Sequence, residues 1–151
     1  MITIGIRAAP RAVTFAIYDT KKARVLNIEE IKIPAAFATP EALKYVRSNL
    51  LDVLREYGVQ QAGIRVTEAA ARGGNLARVQ IEGVIQEAFA SSDLGAYYVG
   101  QIASISSRIG IDRARFKPLV AGDEAWEVNG WARMTKEGRE ALLCAVGAAR
   151  A

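Results

Sequence analysis

Histidine is absent from these 151 residues, and cysteine occurs once, as Cys144. The first absence excludes Ser-His-Asp and Cys-His mechanisms, and every zinc site that needs imidazole. The second excludes an internal disulfide and makes the cytoplasm the expected compartment. No apolar run approaches the roughly 18 residues of a membrane span, so no membrane partner is expected. The N-terminus shows no charged segment leading into a long apolar run, so no secretory leader is expected. There is no Walker loop and no Gly-x-Gly-x-x-Gly after a strand, which removes the common nucleotide-binding signatures. Any chemistry would rest on carboxylates, Lys, Tyr or a divalent cation.

What is present is ordinary globular material. The chain is 51% hydrophobic and 24% charged, which suits one domain spanning 1–151 with one core. Net charge is +4, which permits a polyanionic partner without requiring one. The basic residues are scattered, apart from a modest cluster at Arg108, Arg113, Arg115 and Lys117. That cluster is either a solvated surface or a set of phosphate contacts. Cys144 lies among Leu143, Ala145 and Val146, where a buried small hydrophobe is the plainer reading than a nucleophile.

Alternation marks three extended runs at Ile2–Ile6, Ala12–Tyr18 and Arg24–Ile33, joined by short turns as an antiparallel meander. Thr39 offers an N-cap and Pro40 a first helical residue. Leu43, Val46, Leu50, Leu54 and Tyr57 then form an apolar stripe, and Gly58 closes the helix. Gln61–Thr67 is a fourth strand, parallel to the first because a helix crosses over between them. After an Arg72-Gly73-Gly74 loop, Asn75 caps a second helix with Ile81, Val84, Ile85, Ala88 and Phe89 inward. Gly83 inside it costs about 1 kcal/mol relative to Ala, which predicts close approach to a neighbour. Ala96–Val99 is a fifth strand, and Ile102, Ile105 and Ile109 predict a short helix. The stretch 108–133 is irregular and holds Trp126 and Trp131. Thr135 caps a last helix with Ala141, Leu142, Ala145, Val146 and Ala149 buried.

The order β-β-β-α-β-α-β-α resembles the ribonuclease H-like superfamily. Ile4-Gly5-Ile6, the strand Gly63-Ile64-Arg65-Val66-Thr67-Glu68 and the terminal helix Gly138–Ala149 are arranged like the core of a Holliday-junction resolvase. A second resemblance is to a family of short, uncharacterised bacterial proteins, through Val79–Gln86, the Arg72-Gly73-Gly74 loop and Gly5-Ile6. The implied fold is α/β, ribonuclease H-like. It is a five-stranded mixed sheet, a three-strand antiparallel meander plus two crossover strands, with flanking helices.

For nucleases of this fold, the resemblance implies carboxylates on the first strand, near the end of the fourth and on the last helix. They would hold magnesium or manganese, which activates water. Glu68 falls at the second position, and Glu137 or Glu140 at the third. The first position carries Arg7. A guanidinium 4 Å from a unit positive charge is repelled by about 4 kcal/mol at an effective dielectric of 20, and a dication by about twice that. Asp19 is the nearest alternative acid in sequence, but it lies at the far end of the second strand. The expectation is therefore a degenerate nuclease-like scaffold with no metal and no catalytic residue, binding nucleic acid or protein. The alternative is a metal-dependent nuclease or resolvase using Glu68, Glu82 and Glu137 or Glu140.

Each of these acids has a plainer reading. Glu68 can be a solvated loop residue, Glu137 and Glu140 can interact with the helix dipole, and Glu82 can pair with Arg78 on the helix surface. Arg7 either pairs with Glu68 or binds an anion. Arg72, Arg108, Arg113, Arg115 and Lys117 are further candidates for anion or nucleic-acid contact. Tyr97, Tyr98, Trp126 and Trp131 are candidates for stacking bases. The tryptophans of the Arg108–Arg133 stretch, if exposed, would also suit an oligomer interface.

Overall fold

The computed structural model describes residues 1–69 and 73–151. Strands β1 (Ile2–Ala9), β2 (Ala12–Asp19) and β3 (Arg24–Lys32) form the antiparallel meander. Helix α1 (Thr39–Glu56) crosses over to β4 (Gln61–Arg65), and α2 (Leu76–Ala90) crosses to β5 (Ala96–Gly100). The sheet order is β3-β2-β1-β4-β5, with β1–β4 and β4–β5 parallel. Helices α3 (Ile102–Ile109), α4 (Phe116–Ala121) and α5 (Lys136–Gly147) follow, with 3₁₀ turns at Arg113–Arg115, Trp131–Arg133 and Ala148–Arg150. The five-stranded mixed sheet with flanking helices is the predicted fold.

One sheet face is filled by aliphatic side chains. Ile4, Ile6 and Ile64 pack against Val46, Leu50, Ile85 and Phe89 from α1 and α2. The other face takes α5, which contacts β1, β2 and β4, and α3 and α4 close around α5. Here the approach is at backbone level. A Cβ on Gly5 would lie 1.9 Å from the Ala141 carbonyl oxygen and 2.2 Å from the Ala145 nitrogen. Only glycine lets α5 sit this close to the central strand.

Several details differ from the sequence reading. Strand β1 continues past Ile6 to Ala9 because β2 keeps pairing with it as far as Ala9–Ala12. Its parallel partner β4 stops at Arg65, so Arg7 stands at the end of the β1–β4 pairing. Ala38, not Thr39, occupies the cap position of α1, where its N–H donates to Glu41 Oε1 at 3.3 Å. Gly58 does follow that helix in a left-handed conformation (φ +59°). Asn75 and Thr135 cap α2 and α5 as expected, accepting from Arg78 N and Gly138 N. Gly83 is exposed and no atom lies within 4 Å of where its Cβ would be, so the expected close neighbour is absent. Trp131 is buried and donates its indole N–H to Leu119 O at 3.1 Å, while Trp126 is half-buried in the same cluster. The tryptophans therefore hold the 108–133 stretch together and do not present an exposed interface. The exposed large apolar residues are Leu26, Phe37, Leu76, Val79, Tyr97 and Val99. Among the described residues, no helix is long and apolar enough to cross a membrane.

Candidate functional site

Where β1 and β4 stop pairing, two arginines stand side by side. Gly5-Ile6-Arg7 and Gly63-Ile64-Arg65 are identical tripeptides on adjacent parallel strands, in register residue for residue. The alternation that turns Ile6 and Ile64 toward α1 and α2 turns Arg7 and Arg65 toward α5. Glu140 meets them there. Its Oε2 accepts from Arg7 Nε at 3.1 Å, and its Oε1 lies 2.8 Å from Arg65 Nε. Glu140 and Arg65 are both more than nine-tenths buried. Arg7 therefore pairs with Glu140 and not with Glu68, because the last helix is seated directly over β1.

Glu68 holds the same network from the loop after β4. Its Oε1 lies 3.4 Å from Arg65 Nη2 and accepts from Ile102 N at 2.8 Å. It thus caps α3, whose own cap residue Gln101 makes no side-chain cap bond and instead donates to Thr67 O. The solvated-loop reading of Glu68 does not hold. Nor does the surface reading of Glu82, which is 4% exposed. Both Glu82 oxygens accept from Thr67 N at 3.1 Å, and Oε2 also accepts from Thr67 Oγ1 at 2.9 Å. The anticipated Arg78 partner is present, with Nε 2.8 Å from Glu82 Oε2. Glu137 is exposed in the first turn of α5, consistent with its helix-dipole reading.

These acids fit a divalent cation poorly. Magnesium takes oxygen ligands in near-octahedral geometry, usually including one or two carboxylates that are free to turn toward it. Both oxygens of Glu140 and of Glu82 face guanidinium or N–H donors, and Glu68 caps a helix. Among the described residues, no three His, Cys, Asp or Glu side chains are grouped so as to hold a metal ion. Asp19 pairs opposite Ile2, at the other end of β1, and its carboxylate caps the turn at Lys21 and Lys22.

At this site the unfilled hydrogen-bonding capacity belongs to the arginines, while Gln61 Oε1, Ser106 Oγ and Arg108 Nε are buried without a partner elsewhere. Arg65 Nε, Arg78 Nε and Arg78 Nη2 are buried without an aligned acceptor. The two Nε atoms are at ion-pair distance from carboxylates but off hydrogen-bond direction. An orphaned buried donor costs about 1–3 kcal/mol, and more when charged. Burial lowers the pKa of Arg78, and the neighbouring Arg7 and Arg65 charges lower it further against the pull of Glu82 and Glu140. Arg65 and Glu140 also line an open cleft of about 320 Å³ with Lys117, Lys136, Ile102 and Phe116.

The remaining candidates scatter. Of the basic cluster, only Lys117 reaches this cleft. Arg108 stacks on the Tyr98 ring at 4.3 Å, Arg115 pairs with Glu124 at 3.2 Å, and Arg113 is exposed. Arg72 lies outside the described residues. Tyr98 is buried, its hydroxyl donating to Cys144 O at 2.9 Å, while Tyr97 is exposed. Cys144 is fully buried and burial pushes its thiol pKa up, which disfavours the thiolate. Arg65 and Lys136 were not singled out from the sequence. The repeated Gly-Ile-Arg is the signal that marks Arg65.

No family model matches the chain, and no curated protein matches it. The likeness to short uncharacterised bacterial proteins rests on the segments quoted above alone. Solved structures do match. Thermus thermophilus RuvC in complex with Holliday junction substrate superposes with a TM-score of 0.75 at 15% identity, covering 99% of this chain and 92% of that one. Another Thermus thermophilus RuvC structure gives 0.72 at 15% identity, covering 99% and 93%. The chain has the α/β fold of these RuvC structures, a ribonuclease H-like fold.

Proposed function

We propose that this chain is a nucleic-acid-binding module on a resolvase-type scaffold, and that it holds its target without cutting it. The observation that carries this reading is the Arg7–Glu140–Arg65 ion pair at the end of the β1–β4 pairing. It puts two guanidinium groups where the resemblance expects a metal-binding acid, and it occupies the one acid on the last helix that faces them. The adjoining cleft adds Lys117 and Lys136. The similar Thermus thermophilus protein was solved with a Holliday junction, which makes branched DNA the first ligand to test.

The test is incubation of end-labelled single-stranded, duplex and four-way-junction DNA with the protein, in EDTA and in magnesium or manganese. Binding without product is expected, weakening steeply as salt rises because phosphate contacts release counterions. Metal-dependent products that disappear in Glu140→Gln would instead favour the nuclease reading through Glu68, Glu82 and Glu137 or Glu140. A second reading, protein binding, is favoured by the exposed apolar residues Leu76 (70% exposed) and Val79 (46%) at the start of α2. Light scattering after size exclusion tests whether that partner is a second copy.

A further inference from the structure

The arginines at the end of the β1–β4 pairing are in a state that calls for a ligand. Two of the buried donors, Arg65 Nε and Arg78 Nε, lie 2.8 Å from Glu140 Oε1 and Glu82 Oε2 but off hydrogen-bond direction, and Arg78 Nη2 has no acceptor. Glu140 is shared between Arg7 and Arg65, Glu82 is committed to Thr67, and Glu68 caps α3. Arg65 Nε, Arg78 Nε and Arg78 Nη2 remain buried and unsatisfied. No carboxylate oxygen of Glu68, Glu82 or Glu140 is among the buried unsatisfied atoms. What the network lacks is therefore an acceptor. A cation would add a charge to three guanidinium groups that already crowd one another, whereas an oxyanion would supply directed acceptors to the guanidinium N–H groups.

We propose that this edge is an oxyanion site: Arg7, Arg65 and Arg78 hold a phosphate group directly, in the place where the fold's nucleases are expected to hold a metal ion. Arg7 and Arg65 approach from adjacent strands in register, and Arg78 approaches from the first turn of α2. A guanidinium presents its N–H groups as a planar fork suited to tetrahedral oxyanions, which a lysine does not. Lys117 and Lys136, on the wall of the neighbouring cleft, draw the anion in and accept what is attached to it. The apolar wall of Ile102, Phe116 and Val120 leaves room there for a sugar or base. The site as such needs only phosphate. That the phosphate belongs to a nucleic acid rests on the function proposed above.

The test titrates inorganic phosphate into the protein in EDTA, at ionic strength held constant with sodium chloride. It reads the unfolding temperature and the heat of binding. A saturable rise that chloride does not reproduce is expected, weakened at least about tenfold in Arg78→Gln and in Arg7→Gln, as befits the loss of charge-assisted hydrogen bonds. Circular dichroism verifies that each variant folds. If Arg78→Gln does not fold, Arg78→Lys keeps the charge but not the fork, and the same weakening is expected. No response beyond chloride overturns the proposal, as does unchanged phosphate affinity in the folded variants. So does a magnesium response, read in a parallel titration without EDTA, that is lost in Glu140→Gln.

A second arm measures fluorescence anisotropy of a labelled oligonucleotide, with phosphate as competitor. Phosphate binding with no oligonucleotide binding leaves the oxyanion site standing and removes the nucleic-acid reading. Oligonucleotide binding that neither phosphate nor Arg78→Gln weakens does the reverse.

Discussion

On the α1–α2 side, Ile4, Ile6 and Ile64 meet Leu50, Ile85 and Phe89, and the layers are kept apart by the side chains themselves. On the α5 side, Gly5 brings the strand against the helix backbone, and charged groups are buried at the margin: Arg65 from β4, and Arg139 and Glu140 from α5. The aliphatic side can give by small rotamer shifts. The close side cannot, because backbone touches backbone. This rigidity matters for the site, since Glu140 immediately precedes Ala141, the residue seated on Gly5. The helix that carries the acid is thus fixed over the strand that carries Arg7.

The close side also shows two ways of burying arginine. Arg139 donates from Nε to Trp131 O at 2.9 Å, and from its two terminal nitrogens to Val120 O and Ala132 O, each at 3.0 Å. It is satisfied and ties α5 to the ends of α4 and the following 3₁₀ turn. Arg65 and Arg78 are left with orphaned donors.

The largest effect that can break the contrast between the faces is a single methyl. Gly5→Ala is expected to destabilise by on the order of 4 kcal/mol or more, because α5 must lift off the strand. Denaturant unfolding reads this directly, and a loss under 1 kcal/mol would mean the helix is not so close. Arg139→Met removes the carbonyl clamp while keeping bulk. The same measurement should show a loss of about 2–3 kcal/mol, because Val120 O and Ala132 O lose their Arg139 donors and Trp131 O keeps only the Met134 N–H. Gly83→Ala adds the same methyl as Gly5→Ala, but on an exposed helix face with open space. It should stabilise by about 0.5–1 kcal/mol, the helix cost of glycine.

The smallest effect lies at the surface, where Arg47 Nε donates to Glu87 at 2.5 Å. That bond, with a second from Ser91, holds the Glu87 carboxyl below its ordinary pKa. A depressed folded-state pKa stabilises above the unfolded carboxylate value, about 4.3, and the benefit fades as pH falls through the lower folded value. Arg47→Ala should therefore lower the melting temperature slightly at pH 7, and the difference should close toward pH 3.

Strand alternation, the α1 stripe and the order of elements were enough to read the fold, because each is local. The site was legible only in part. Arg7 stood out as the wrong charge for its position, but its partner Glu140 is 133 residues away, and only the seating of α5 brings them together. The Arg78–Glu82 pair was visible as an i,i+4 spacing. Its burial was not, because that depends on the backbone of Thr67 folding back over α2. The burial of Trp131 was not legible, since nothing local shows that Leu119 O and Arg139 enclose it.

The proposed anion at the end of the β1–β4 pairing stands where nucleases of this fold are expected to take a cation. Crystals soaked separately in manganese and in tungstate, an electron-dense phosphate analogue, test it most directly through anomalous scattering. A tungstate peak in contact with Arg78 and Arg7 is expected, with no manganese peak among Glu68, Glu82 and Glu140. A manganese peak among those carboxylates, with Arg7 swung away, would contradict it.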